Sequence, residues 1–269
     1  MVISSRRFST HYCRWQVCAH IADNFLDIEP TTDTISDTTS TSLVYMFSHL
    51  AQQPEIVAKA RDEVKDLWNE DGTFKHREAS HSEYINGIIN ETLRMHPPVP
   101  SAILRCTPPE GLQIGNVYVP GNVNVWCPQY VLGRCKCLEL ESQFLHRCSH
   151  ITLATKAYVD PNSFIPERWS TKPDLIKDKN AFYPFSLGMS TTRQTSARAN
   201  GYHTGPMGCI GKPLALMELR CVLAKLITTF DVKFAPGDDG TDLDAKSRDH
   251  FTLEPGPLNL CFTARAATA

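Results

Sequence analysis

Apolar residues recur at helical spacing from Ser40 onward, where Leu43, Val44, Met46, Phe47 and Leu50 mark one stripe. Pro54 breaks the stripe and a second amphipathic stretch runs from Glu55 to Trp68, so two consecutive helices are predicted. A polar turn around Glu70 to Gly72 leads to a third helix over Ser82 to Met95, with Ile85, Ile88, Ile89 and Leu93 on one face. His96-Pro97-Pro98 stops it, because proline lacks the amide hydrogen and disfavours helical backbone in the residue before it. From Val99 to Val125 the pattern alternates around turns at Pro108-Pro109-Glu110-Gly111 and Pro120-Gly121, which predicts short strands in a small sheet. Pro213 to Phe230 reads as a long helix with Leu214, Met217, Val222, Leu223, Leu226 and Ile227 facing a core. A last hairpin is predicted to pair Phe251 to Leu253 with Leu258 to Thr263 across Glu254-Pro255-Gly256-Pro257. The expected fold class is mainly α with a minor antiparallel β-sheet. Residues 1–33 show little periodicity and read as a poorly structured lead-in.

Composition narrows the function. The 269 residues carry 27 Lys and Arg against 29 Asp and Glu, a formal charge of -2, and no basic patch, so a nucleic-acid partner is not expected. With 42% hydrophobic and 21% charged residues the chain is globular rather than disordered. No run reaches the roughly 20 apolar residues of a spanning helix. The opening MVISSRRFSTHYCRWQVCAH lacks the apolar core of a signal peptide, so the chain as written is expected to be cytoplasmic. The 10 cysteines have neither the short chain nor the regular spacing of a disulfide framework and are expected to be mostly reduced thiols.

Glu91 and Arg94 stand three apart on the third helix and can form an ion pair. Alone, such a pair is commonly a solvated helix face worth about 0 to 1 kcal/mol. Its company changes the picture. Phe164-Ile165-Pro166-Glu167-Arg168-Trp169 supplies another arginine, and Phe185-Ser186-Leu187-Gly188 lies upstream of Cys209-Ile210-Gly211.

These residues resemble the cytochrome P450 family, the haem-thiolate monooxygenases, at four motifs in order: an acid-alcohol pair at Asp37-Thr38-Thr39, ETLR at Glu91 to Arg94, FIPERW, and a cysteine loop split between FSLG and PMGCIG. The resemblance covers about residues 34–266, the C-terminal half of that fold, and the style of GPMGCIGKPLALMELR looks closest to fungal secondary-metabolite members. It implies a haem cofactor with Cys209 as the metal ligand and Arg105, Phe185 and Gly211 among the cofactor-binding residues. It also implies that Asp37 and Thr38 are catalytic, delivering protons, and that Glu91, Arg94 and Arg168 form a buried structural cluster. The partners so implied are an NADPH-cytochrome P450 reductase and a small organic substrate, at the endoplasmic reticulum membrane. Local chemistry agrees for Cys209, because the amide-rich positive end of the helix opened by Pro213 favours an anionic sulfur. A thiolate donates electron density to iron, and Gly211 lets a flat macrocycle approach the backbone. The other readings are a core thiol for Cys209, ordinary helix caps for Asp37 and Thr38, and a surface side chain for Arg105.

The chain also departs from the pattern. A complete member is about twice this length and has an N-terminal anchor helix; as written, the chain has neither and is expected to be inactive or nearly so. Thr34-Ile35-Ser36 stand where small residues normally precede the acid, and Ile35 crowds oxygen there. Two insertions, near 135–156 and 189–205, separate motif halves; without the second, FSLGPMGCIG is continuous, with Met207 in the place of a propionate-pairing arginine. Cys135-Lys136-Cys137 and Gly188-Met189-Ser190 can be encoded by intron donor signals, which suggests retained introns in a truncated or mis-spliced gene model. The rival readings are a zinc-binding module from Cys135, Cys137, His146, Cys148 and His150, and a noncatalytic scaffold derived from the family fold.

Overall fold

The computed structural model describes residues 37–69, 71–114, 117–134, 157–186 and 208–265, together with the backbone of a two-residue strand, β1 (Val2–Ile3). Its framework is four helices: α1 (Asp37–Gln52), α2 (Pro54–Val64), α4 (Glu83–Met95) and α6 (Lys212–Thr229), with the single-turn α3 (His76–Ala79) between the second and third. Their apolar stripes meet in one core. Met46, Phe47 and Leu50 of α1, Val57, Ala60 and Val64 of α2, Ile85, Ile88 and Ile89 of α4, and Leu223, Leu226 and Ile227 of α6 are all buried in it. Burying such side chains contributes about 1.5 to 3 kcal/mol each.

Two helix ends are satisfied by neighbouring helices rather than by local caps. Ser82 precedes α4 without a side-chain capping bond, and the Glu63 carboxylate of α2 instead accepts from the Tyr84 and Ile85 amides at 3.0 and 2.9 Å. Arg61 of α2 donates to the Ile227 and Phe230 carbonyls at 2.6 and 2.8 Å, covering the carboxyl end of α6. Tertiary packing therefore sets both boundaries.

The strands predicted between Val99 and Val125 form as two small antiparallel pairs. β2 (Arg105–Cys106) pairs with β5 (Asn124–Val125), and β3 (Leu112–Ile114) with β4 (Val117–Val119). The short helix α5 (Gln129–Arg134) follows. FIPERW becomes a single 3₁₀ turn over Pro166–Trp169, against which α4 lies so closely that a Cβ on Gly87 would stand 2.7 Å from the Pro166 carbonyl oxygen.

The C-terminal part corrects two expectations. Residues 258–263 do not pair with 251–253. β8 (Thr252–Glu254) turns back on β7 (Arg248–His250) through Phe251, which takes a φ of 76°, after the short α7 (Thr241–Ala245). β9 (Leu260–Ala264) pairs instead with β6 (Phe230–Phe234), the alternating FDVKF segment that leaves α6 directly, while β1 pairs with β9. Physically, Pro255-Gly256-Pro257 is not a turn here, since the Gly256 amide donates to the Leu243 carbonyl at 2.9 Å and the segment runs over α7. The second correction concerns α6, whose Leu214 and Met217 are 43% and 36% exposed rather than core; Leu214 borders a cavity.

Candidate active site

The cavity measures about 1150 Å³ and lies between the start of α1, the start of α6, the segment 98–105, the strand end 125–128 and the segment 178–186. Most of its wall is apolar, with Leu93, Val99, Ile103, Val125, Trp126 and Leu219 among the lining side chains. The thiol of Cys209 is exposed beside it. Gly211, the residue before α6, has no side chain to cap the helix, Lys212 and Pro213 follow as its first two residues, the Lys212 amide donates to the Cys209 carbonyl at 3.3 Å, and the positive dipole end of the helix lies next to that thiol. A Cβ placed on Gly211 would meet only the Cys209 Sγ, at 3.7 Å, so the folded chain itself has room for a methyl there.

Phe185 reaches the same place from a distant part of the chain. The Cys209 amide donates to the Phe185 carbonyl at 2.9 Å, joining the two halves of the cysteine loop across residues 187–207, which lie outside the described set. Arg105 projects from β2 to the cavity and donates to Ser186 Oγ at 3.0 Å, and Ser186 has a φ of 63°. Phe185, Arg105, Cys209 and Gly211 thus share one wall. Thr38 lines the cavity too; Asp37, half-buried in the first turn of α1, does not. Residues 34–36, both insertions, Met207 and the proposed zinc set lie outside the described residues.

Glu91, Arg94 and Arg168 are brought together with no solvent exposure of the side chains that pair. Arg94 donates two bonds to the Glu91 carboxylate, both 2.9 Å, and Arg168 Nε donates a third at 2.9 Å. The Ile165 amide and Trp169 Nε1 complete the set, each at 2.9 Å. The remaining guanidinium hydrogens reach backbone carbonyls, including Pro161 from Arg94 at 2.7 Å, Gly133 from Arg94, and Val159 from Arg168 at 2.8 Å. Trp169 packs on Phe182 with ring centroids 4.3 Å apart, and the chain then runs through Tyr183 and Phe185 into the cavity wall.

Sequence reasoning missed several wall residues. Leu214, Ala215, Glu218 and Leu219 line the cavity from α6, and Thr39 and Ser42 from α1. Both sets follow helical spacing, which was the available signal. Burial holds the Glu218 carboxyl above the ordinary carboxylate range, although the Thr39 hydroxyl gives it a hydrogen bond. On the substrate side, Ala102 and Ile103 of the segment 98–105 line the cavity together with Phe251.

A family model, Cytochrome P450, matches residues 36–137 and 193–262. The chain belongs to the cytochrome P450 family. The cytochrome P450 monooxygenase notG' of Aspergillus versicolor is 40% identical over 231 residues, covering 86% of this chain and 36% of that protein. The tryprostatin B 6-hydroxylase of Aspergillus fumigatus is 38% identical, covering 86% of this chain and 35% of that protein. The chain therefore spans little more than a third of the length of these relatives. Among solved structures, the haem domain of cytochrome P450DA superposes with a TM-score of 0.61 at 22% identity, over 85% of this chain and 42% of that one. The fold is thus part of the cytochrome P450 haem domain, and membership implies haem as the cofactor. The cavity fits such a group: it is large, its walls are apolar, one of the two cysteines that line it, Cys209, stands at a helix start whereas Cys127 does not, and a guanidinium stands at its edge. Among the described residues no helix is long and apolar enough to cross a membrane.

Proposed function

We propose that this chain carries the haem-binding core of a haem-thiolate monooxygenase of the fungal secondary-metabolite type. When bound, haem supplies the one-electron and dioxygen chemistry by which one oxygen atom enters an organic substrate. Cys209 would hold the iron through its thiolate, and the positive end of α6 would stabilise the negative sulfur. Gly211 would keep the approach to that sulfur free of side chain, Phe185 would pack against the macrocycle, and Arg105 would pair with a propionate. Thr38 holds a proton-carrying water at the cavity and Asp37 feeds it from the first turn of α1. Glu91, Arg94 and Arg168 touch neither cofactor nor substrate. They brace the wall through Trp169 and Phe182. Electrons come from an NADPH-cytochrome P450 reductase at the endoplasmic reticulum membrane, and the substrate is a small organic molecule.

One observation carries this reading: five residues from four separate stretches of sequence, Thr38, Arg105, Phe185, Cys209 and Gly211, border a single apolar cavity. Titrating the purified chain with haem and following Soret absorbance tests it. Saturable uptake with one haem per chain is expected. Only gradual, non-saturating absorbance, of the kind haem gives with an unrelated protein, contradicts the proposal.

A further inference from the structure

Behind the helices that form the cavity lies a buried pair of histidines that the proposed chemistry does not use. His49 stands on α1, about two turns beyond Ser42, and His96 immediately follows α4. Their Nε2 atoms are 3.0 Å apart, and the side chain of His96 is 3% exposed. Two imidazoles at that distance share one hydrogen, so at least one Nε2 must be bare.

Arg134 of α5 places Nη2 2.9 Å from His96 Nε2 and 3.1 Å from Nδ1, and anchors itself by donating from Nε to the Met95 carbonyl at 2.7 Å. A guanidinium can only donate, so it faces a ring nitrogen without hydrogen. Asp244 of α7 lies 3.6 Å from His96 Nδ1, the side suited to the N–H. Whichever His96 nitrogen is bare towards Arg134, one hydrogen is shared between the two Nε2 atoms and both rings are neutral. Tyr45 of α1 stacks on His96 with centroids 3.8 Å apart, and Phe164 stacks on His49 at 4.2 Å. The charged groups facing the pair are Arg134 from α5, Arg94 and Glu91 from α4, and Asp244 from α7; Tyr45 from α1 is the remaining titratable neighbour.

We propose that His49 and His96 are positioning residues: as a neutral hydrogen-bonded pair they latch α1 to the carboxyl end of α4, and proton uptake in mild acid releases α1 from the cavity wall. The proposal does not depend on the haem reading, since the wall formed by Thr38, Thr39 and Ser42 belongs to α1 whatever the cavity holds.

An added proton occupies the bare nitrogen of the pair, removing an acceptor, and on His96 it sets an imidazolium against the Arg134 guanidinium. Glu91 is already committed to Arg94 and Arg168, and the Asp244 side chain is 61% exposed and screened by solvent. Burial, then the Arg134 charge, pushes His49 down to about 4, and burial, Arg134 and His49 together hold His96 well below its ordinary value. The sign follows. Above the ordinary histidine value of 6.5 neither the latched nor the released form takes up protons here. As pH falls from there towards about 4, the released form gains protons that the latched form refuses, so the latch weakens. Each residue contributes about a tenfold shift per pH unit within that window.

Hydrogen exchange of the α1 amides in the full chain, corrected for intrinsic rates and compared between about pH 7.5 and about pH 5.5, reads this directly. Protection of α1 is expected to fall by about tenfold or more per pH unit below about 6.5. The slope should be shallower in His49→Phe, whose ring keeps the stack on Phe164, and close to flat in His49→Phe/His96→Asn. The exposed control His250→Gln should keep the parent slope. If the double variant keeps the parent slope, or α1 protection in the parent is independent of pH, the latch is refuted. Should the variants fail to fold, the ring proton shifts of the native chain decide. Two histidines remaining neutral well below 6.5 support the latch, and all rings titrating near 6.5 overturns it.

Discussion

Glu91 takes no solvent and accepts five hydrogen bonds, from Arg94 twice and from Arg168, Ile165 and Trp169. Both of its oxygens are saturated, so the two guanidinium charges depend on it. Glu91→Gln keeps the shape and removes the charge, leaving excess buried cation and replacing acceptors with a donor amide. The expected loss is about 3 to 5 kcal/mol, read from the denaturant midpoint. Arg168→Lys should lose a comparable amount, because an ammonium cannot reproduce the bonds to Glu91, Val159 and Asp160 made by one planar fork. A loss below about 1 kcal/mol for both variants would mean that the cluster opens to water in solution. Gly211 poses the opposite test. The fold has room for a side chain there, so Gly211→Val should change the denaturant midpoint little, yet lower haem affinity at least tenfold by blocking the approach to Cys209. Equal affinity for haem would remove Gly211 from the cofactor wall.

At the scale of elements, helices read well from sequence and strands poorly. The stripes of α1, α2 and α4 are long enough to show a period, and their breaks at Pro54 and His96-Pro97 coincide with the helix ends. The strands β6 to β9 are three to five residues long, and Arg248–His250 is polar and fully exposed, so no alternation marks it. The turn at Phe251 was hidden as well, since a phenylalanine with positive φ carries no turn signature. The charged cluster was legible because each member lies in a motif of fixed spacing. The histidine latch was not: His96 was readable only as the residue before a proline, and its partner lies 47 positions away. The second insertion, MSTTRQTSARANGYHTG, is 17 polar-rich residues between Phe185 and Cys209, whose backbones nevertheless meet. Loop-closure cost grows only logarithmically with length, so 17 residues there need not unfold the scaffold. Deleting residues 189–205, in a chain fused behind the amino-terminal half of a relative, should raise haem occupancy at equal folding. Unchanged or poorer occupancy would show that the segment belongs to the working loop.

The whole molecule presents its cavity on an open side. Ile103, Leu104, Ile114, Trp126 and Leu214 are more than two fifths exposed, and Ile210, next to Cys209, is 99% exposed. The family was legible in four short motifs, because each is built from residues whose chemistry allows few substitutes. The substrate was not, since its walls come from ordinary apolar residues such as Ala102, Ile103 and Phe251, which any core could use.

Everything proposed for the cavity rests on Cys209 as the iron ligand, and the most direct measurement is the absorption spectrum of the reduced, carbon monoxide-bound chain after haem loading. The parent should give the red-shifted Soret band of thiolate ligation, and Cys209→Ala should lose that band while its far-ultraviolet circular dichroism stays unchanged. The same red-shifted band in both proteins would contradict the assignment of Cys209 and the reading of the cavity built on it.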